Sequence, residues 1–179
     1  MATPIRNVKK SDDGAVVLRK PVPEDGAAVW ELVKACSPLD ENSMYCNLIQ
    51  CDHFRDTCVV AEKDGNVVGW VSGHVLPSTG DTFFVWQVAV HEDARGLGLG
   101  GRMLRELMQR DETEGCTKMQ TTITLDNKAS WALFTKYADR MDAMLDSEPH
   151  YKRDEHFNGD HATEHMVTIT MAEDVAQAA

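Results

Sequence analysis

The chain predicts an α/β (α+β) fold on a single sheet, and three observations carry that prediction. Two β-rich runs flank the turn pair Asp64-Gly65 in TCVVAEKDGNVVGWVSGHV, a strong hairpin signal. The run TFFVWQVAV, residues 82–90, is apolar on both faces, as a central strand should be. A glycine-rich loop, RGLGLGGR at 95–102, then opens a run whose Leu99, Met103, Leu104, Leu107 and Met108 share one helical face.

The elements follow in order. GAVVLRKP (14–21) reads as a first strand, and Pro23 suits the first turn of a helix that carries Val29, Trp30, Val33 and Cys36 at spacings of three and four. SPLDENS breaks that helix, and a second, shorter one is expected over 43–52. The hairpin and the central strand come next, separated by PSTGD. The helix after the glycine loop should run to about residue 113. KMQTTITL is a further strand with Met119, Thr121, Ile123 and Leu125 on one face, and Asp126 suits the N-cap of a helix through Ala132, Leu133 and Lys136. Residues 145–162 read as polar and irregular, ahead of a last strand MVTITM. The expected organisation is a flexible segment 1–14, one domain over 15–172 and a flexible tail 173–179.

Composition excludes several functions. A chain of 179 residues, 42% of them hydrophobic, can bury one good core. With 18 Lys+Arg against 29 Asp+Glu the net charge is -11, which repels nucleic acid and anionic membrane over most of the surface. Neither is an expected partner. No run of about 18 apolar residues exists and MATPIRNVKKSDDG holds no apolar stretch for a signal peptide, so a cytoplasmic protein is expected. The five cysteines, Cys36, Cys46, Cys51, Cys58 and Cys116, lack C-x-x-C spacing and read as reduced, mostly buried thiols.

The glycine loop contains two phosphate-binding patterns. Gly96-x-Gly98-x-x-Gly101 matches a dinucleotide fingerprint, and Arg95-x-x-Gly98-x-Gly100 matches the [QR]-x-x-G-x-[GA] loop that holds the diphosphate of coenzyme A. In a dinucleotide fold the first glycine follows its strand almost directly, but HEDAR separates Val90 from Gly96. An acidic strand end about 20 residues on is also missing. The second pattern fits both flanks. Backbone amides from Arg95 through Gly96, Leu97, Gly98, Leu99 and Gly100 to Gly101 can meet a diphosphate, helped by the positive end of the next helix, while the strand Val88-Ala89-Val90 lies beside the pantetheine arm.

With these residues the chain resembles the GNAT acetyltransferase superfamily and, more narrowly, the L-2,4-diaminobutyrate acetyltransferases of ectoine biosynthesis. The narrow resemblance rests on CSPLDENSMYCNLI (36–49), FRDTCVVA (54–61), VGWVSG (68–73), FFVWQVAVHEDARGLGLG (83–100), TTITLDNKASWALF (121–134) and GDHATEHMVTI (159–169). The resemblance implies a GNAT fold: a mixed, mostly antiparallel, twisted sheet of six to seven strands flanked by about four helices. It also implies acetyl-CoA as co-substrate without a metal, L-2,4-diaminobutyrate as acceptor at its 4-amino group, and a homodimer. Two positions depart from the pattern. Phe134 stands where many relatives place the tyrosine that protonates the departing thiolate, leaving water or Tyr137 as source, and Leu125 stands where proline is expected.

The chemistry needs an oxyanion donor, for which a backbone N–H within Gln87–Val90 serves, a proton acceptor for the amine, and a grip on a substrate with two amines and a carboxylate. The resemblance points to Asp40, Trp86 and Glu164 as substrate-binding and catalytic residues. From spacing alone, Asp40 reads equally as a helix cap, Trp86 as core packing and Glu164 as a solvated charge. Asn127 is assigned to coenzyme A or to its turn, and Phe134 to the cofactor side. A rival is the zinc motif H-x-x-E-H at His161, Glu164 and His165, which requires a helix, but the flanking NGD and VTIT favour loop and strand. A second rival, an idle acetyl-CoA-binding sensor, is allowed by Phe134 and separable by a turnover assay.

Overall fold

The computed structural model describes residues 15–36 and 39–172, so the expectations for 1–14 and 173–179 lie outside the described residues. One sheet runs in the order β1-β2-β3-β4-β5-β7-β6. Its strands are β1 Val17–Arg19, β2 Val59–Lys63, β3 Asn66–Val75, β4 Thr82–Val90, β5 Lys118–Thr124, β6 Met144–Tyr151 and β7 Glu164–Thr170. The α-helices are α1 Gly26–Ala35, α2 Met44–His53, α3 Leu99–Met108, α4 Lys128–Arg140 and the short α5 Arg153–His156. All pairings are antiparallel except β4 with β5, which gives the mixed, mostly antiparallel sheet that the sequence predicts.

The hairpin forms where expected because Asp64 (φ 52°) and Gly65 (φ 78°) both take the left-handed backbone that a tight two-residue turn demands. Alternation along β2 and β3 then divides the side chains between two cores. Val59, Ala61 and Val71 face α3 and α4, while Val60 and Trp70 face α1 and Cys51 of α2. On α3, Met103, Leu104 and Leu107 are fully buried, each contributing about 1.5–3 kcal/mol.

Several elements differ from expectation, each for a physical reason. Residues 144–151, read as irregular, form β6, and 153–156 form α5. β6 is the last strand of the sheet and almost wholly exposed, so no apolar alternation was required of it, and the pairing from Met144↔Thr170 to Tyr151↔Glu164 supplies its order. β7 starts earlier than MVTITM because Glu164 pairs with Thr124 on one side and Tyr151 on the other. α3 stops at Met108, where Thr113 turns back and its hydroxyl donates to the Leu107 carbonyl at 2.7 Å. Pro23 opens a short 3-10 turn, Pro23–Asp25, ahead of α1. Leu125 lies past the end of β5 and is exposed. The N-cap of α4 is Asn127 and not Asp126, its Oδ1 accepting from Ser130 N at 3.1 Å.

Candidate active site

The sheet opens where β4 leaves β5. Their parallel pairing covers only Thr82–Phe84 against Lys118–Gln120, whereas β5 continues along β7 as far as Thr124. At the same place β4 is bulged. Gly73 faces Val85 but Ser72 faces Gln87, so Trp86 is an extra residue without a β3 partner. The bulge inverts the alternation: Val85 before it and Val88 after it both turn to the α3–α4 core, and Ala89 turns to the other. Apolar residues on both faces of β4 thus record a bulge as well as a central position. Trp86 itself is 53% exposed.

A cavity of about 470 Å³ occupies the gap between β4, the glycine loop and α4. Val88, Val90, Arg95, Gly96, Gly98, Leu99, Gly100, Gly101 and Asn127 line it. Gly96 (φ 76°) and Gly98 (φ 71°) are both left-handed, and Gly98 is the N-cap of α3, offering no side chain to cover the first amides of that helix. Such an end attracts an anion. Arg95 and Lys136 also line the cavity, and Arg105 and Arg140 line a small recess behind Gly98 and Gly101, a cationic patch on a chain of net charge -11. Arg95 additionally braces the loop, donating from Nε to the Val90 carbonyl at 3.1 Å. Ala89 is buried in the other core, Leu97 is 70% exposed and lines no main cavity, and Phe134 is buried beside the second cavity.

That second cavity, about 160 Å³, brings Asp40, Trp86 and Glu164 together with Gln87, Thr124, Phe134 and His161. It shares Leu39, Val88, Asn127 and Ser130 with the first, so the two adjoin along β4 and the start of α4. The two carboxylates differ in setting. The Asp40 side chain is 86% exposed, but that of Glu164 is 17% exposed and its Oε2 is buried without a hydrogen-bond partner. Burial pushes the Glu164 carboxyl above its ordinary range, with Asp40 adding to the shift and His161 opposing it. His161 Nε2 stands between them, 3.7 Å from Asp40 Oδ2 and 3.8 Å from Glu164 Oε1, its ring packed against Phe157. A carboxylate held in this way suits proton acceptance near neutral pH.

His161 appears in the sequence only as half of a zinc motif. Glu164 and His165 lie in β7, so His161 and His165 share no helix face, and among the described residues no cluster suited to a metal ion occurs. Gln87, Asn42 and Lys136 were missed as well. The sole signal for Gln87 was a polar residue inside an apolar strand. Tyr137, proposed as a proton source, is buried, lines only the small recess and has its phenol pushed up by burial. Cys36, Cys51 and Cys58 are buried, Cys46 and Cys116 half-buried, and none is in a disulfide. Among the described residues no helix is long and apolar enough to cross a membrane.

Comparison with known proteins agrees with this geometry. The acetyltransferase (GNAT) family model matches residues 27–138. The L-2,4-diaminobutyric acid acetyltransferase of Methylotuvimicrobium alcaliphilum is 46% identical over 154 residues, which cover 86% of this chain and 90% of the relative. That of Halomonas elongata is 47% identical over 153 residues, covering 85% and 79%. A solved diaminobutyrate acetyltransferase from Paenibacillus lautus, in complex with L-2,4-diaminobutyric acid and coenzyme A, superposes with a TM-score of 0.84 at 36% identity, over 88% of this chain and 96% of that one. From a glycine loop facing a splayed β4, a two-part cleft and these relatives together, the chain belongs to the acetyltransferase (GNAT) family and, inside it, to the L-2,4-diaminobutyric acid acetyltransferases.

Proposed function

We infer that this protein transfers the acetyl group of acetyl-CoA to the 4-amino group of L-2,4-diaminobutyrate, giving the 4-N-acetyl product from which ectoine is made. The union of the two cavities carries the reading: a cationic, glycine-walled lobe large enough for a nucleotide-bearing thioester adjoins a small acidic lobe. The bound state of the Paenibacillus lautus relative, with L-2,4-diaminobutyric acid and coenzyme A, supports it.

In this reading the diphosphate sits against the amides of Gly96–Gly101, and the pantetheine arm runs along the free edge of β4. The neutral 4-amino nitrogen attacks the thioester carbon, a backbone N–H within Gln87–Val90 holds the oxyanion, and the C–S bond breaks as the intermediate collapses. Glu164 takes the surplus proton from nitrogen, its raised carboxyl being the better acceptor. Asp40 holds the α-ammonium, and Trp86 walls the pocket with its ring face toward cationic substrate. Phe134 has no hydroxyl to offer, so the departing thiolate takes its proton from water.

The chain works in the cytoplasm as a homodimer, with the exposed β6 face, including Met144 and Tyr151, available to a second copy. Light scattering on the purified protein gives the assembly directly. The decisive experiment for the activity supplies acetyl-CoA with a panel of diamines and locates the new acetyl group by NMR. Acetylation at the 4-amino position of diaminobutyrate is expected. Mainly α-acetylated product, or equal use of longer diamines, would sink the reading.

A further inference from the structure

The connection that carries Asp40 joins α1 to α2, takes no helix or strand over residues 39–43, and yet holds a carboxylate toward His161 across the cleft. A mobile segment could not present that charge at a fixed place. Its fastening comes from one side chain above all. Gln87, on β4 just past the Trp86 bulge, is buried and uses both ends of its amide on this segment. Nε2 donates to the Asp40 carbonyl at 2.9 Å, and Oε1 accepts from Asn42 Nδ2 at 3.2 Å. Trp30 Nε1 of α1 then donates to the Asn42 carbonyl at 3.0 Å, tying the far end down.

We propose that Gln87 is a positioning residue that clasps residues 40–42 to the bulged strand and thereby sets where Asp40 meets the substrate ammonium. The bulge is what makes this possible. Had β4 kept simple alternation, Gln87 would point with Val85 into the α3–α4 core, where an amide has no partner. With the extra residue it turns to the side where the α1–α2 connection passes. Only an amide can serve: the clasp needs a donor for a carbonyl and an acceptor for an amide nitrogen at the same side-chain end. The arrangement also couples the two lobes, because the strand that supplies the clasp is the one whose free edge faces the thioester.

The inference rests on the proposed reaction for its functional consequence, but the clasp itself can be tested without turnover. Gln87→Met keeps length and apolar packing and removes both hydrogen bonds, and Gln87→Glu keeps the acceptor for Asn42 while setting an oxygen against the Asp40 carbonyl. In both, amide hydrogen exchange over residues 39–43 should rise while exchange in β4 and α3 stays as in the parent. With diaminobutyrate, KM should rise roughly five- to tenfold, as for one or two lost hydrogen bonds, with kcat and the KM for acetyl-CoA little changed. Placed in an Asp40→Asn background, Gln87→Met should add almost nothing, since the clasp acts through Asp40. Parent-like exchange at 39–43, a loss confined to kcat, or full additivity with Asp40→Asn would each overturn the proposal. A parent enzyme inactive on diaminobutyrate with the exchange result intact would instead overturn the reaction and leave the clasp.

Discussion

The two lobes of the cleft are built in opposite ways. The larger is made mainly of main chain that is contiguous in sequence: the end of β4, the loop 95–101 and the first turn of α3. The smaller is made of side chains from four separated places, the α1–α2 connection, the β4 bulge, the start of α4 and the 161–164 segment. The difference is that a diphosphate, the same in every acetyl-CoA, can be met by amides and glycines, whereas telling one amine of a diamine from the other requires charges fixed by the tertiary fold. It also separates Glu164 from Asp40, since burial acts on one and solvent surrounds the other.

The comparison is broken most severely at Glu164. Glu164→Gln should cost roughly 2–4 kcal/mol in kcat/KM for diaminobutyrate, mostly in kcat, while acetyl-CoA binding by calorimetry stays normal. In the parent, kcat should fall as pH drops through a value above the ordinary carboxylate range, because only the ionised form accepts a proton, and the variant should lose that limb. The same shift has a stability consequence of opposite sign. A carboxyl raised in the folded state lends stability that is complete below its unfolded pKa and is lost as pH rises through the folded value. The uncharged Glu164→Gln variant should therefore melt above the parent at neutral pH, and no longer do so below about pH 4.

The converse break is at Gly98. With φ at 71° any Cβ is strained there, although no atom lies within 4 Å of it, so Gly98→Val should act on the loop's shape and on phosphate approach rather than on packing. A rise of about tenfold or more in the KM for acetyl-CoA, with diaminobutyrate little affected, is expected from steady-state kinetics. If instead both substrates suffer alike, the lobes are not independent. Asp40→Asn should have a smaller effect than Glu164→Gln, about 1–2 kcal/mol in kcat/KM and mostly in KM, because an exposed carboxylate pairs more weakly than a buried one. Equal losses in the two variants would mean that the substrate itself buries Asp40.

The smallest effect concerns the residue common to both lobes. Asn127→Ala removes the α4 cap, and should lower stability by about 1 kcal/mol in denaturant titrations. Asn127→Asp, which caps equally well, should restore it. A variant stable as the parent but slow in turnover would move Asn127 from the helix to the chemistry.

Amino-acid order alone determined the elements that carry periodic burial or turn chemistry. The Asp64-Gly65 hairpin, β4, the start of α3 at Leu99 and the helix after Asn127 could all be read, because each must hide an apolar face or take a special backbone angle. The glycine loop was legible for the same reason: its chemistry is local main-chain geometry. β6 was not, since an exposed edge strand is ordered by its hydrogen bonds to β7 and carries no burial pattern of its own. The bulge at Trp86 was hidden too, because a one-residue slip between β3 and β4 belongs to the pairing and not to either strand. Only the folded chain decided that Asp40 stands beside His161 and Glu164 and that Gln87 faces the α1–α2 connection. The approach of Gln87 to Asp40 joins residues 47 positions apart, that of His161 to Asp40 residues still farther apart, and the tertiary packing of two cores against one sheet sets both.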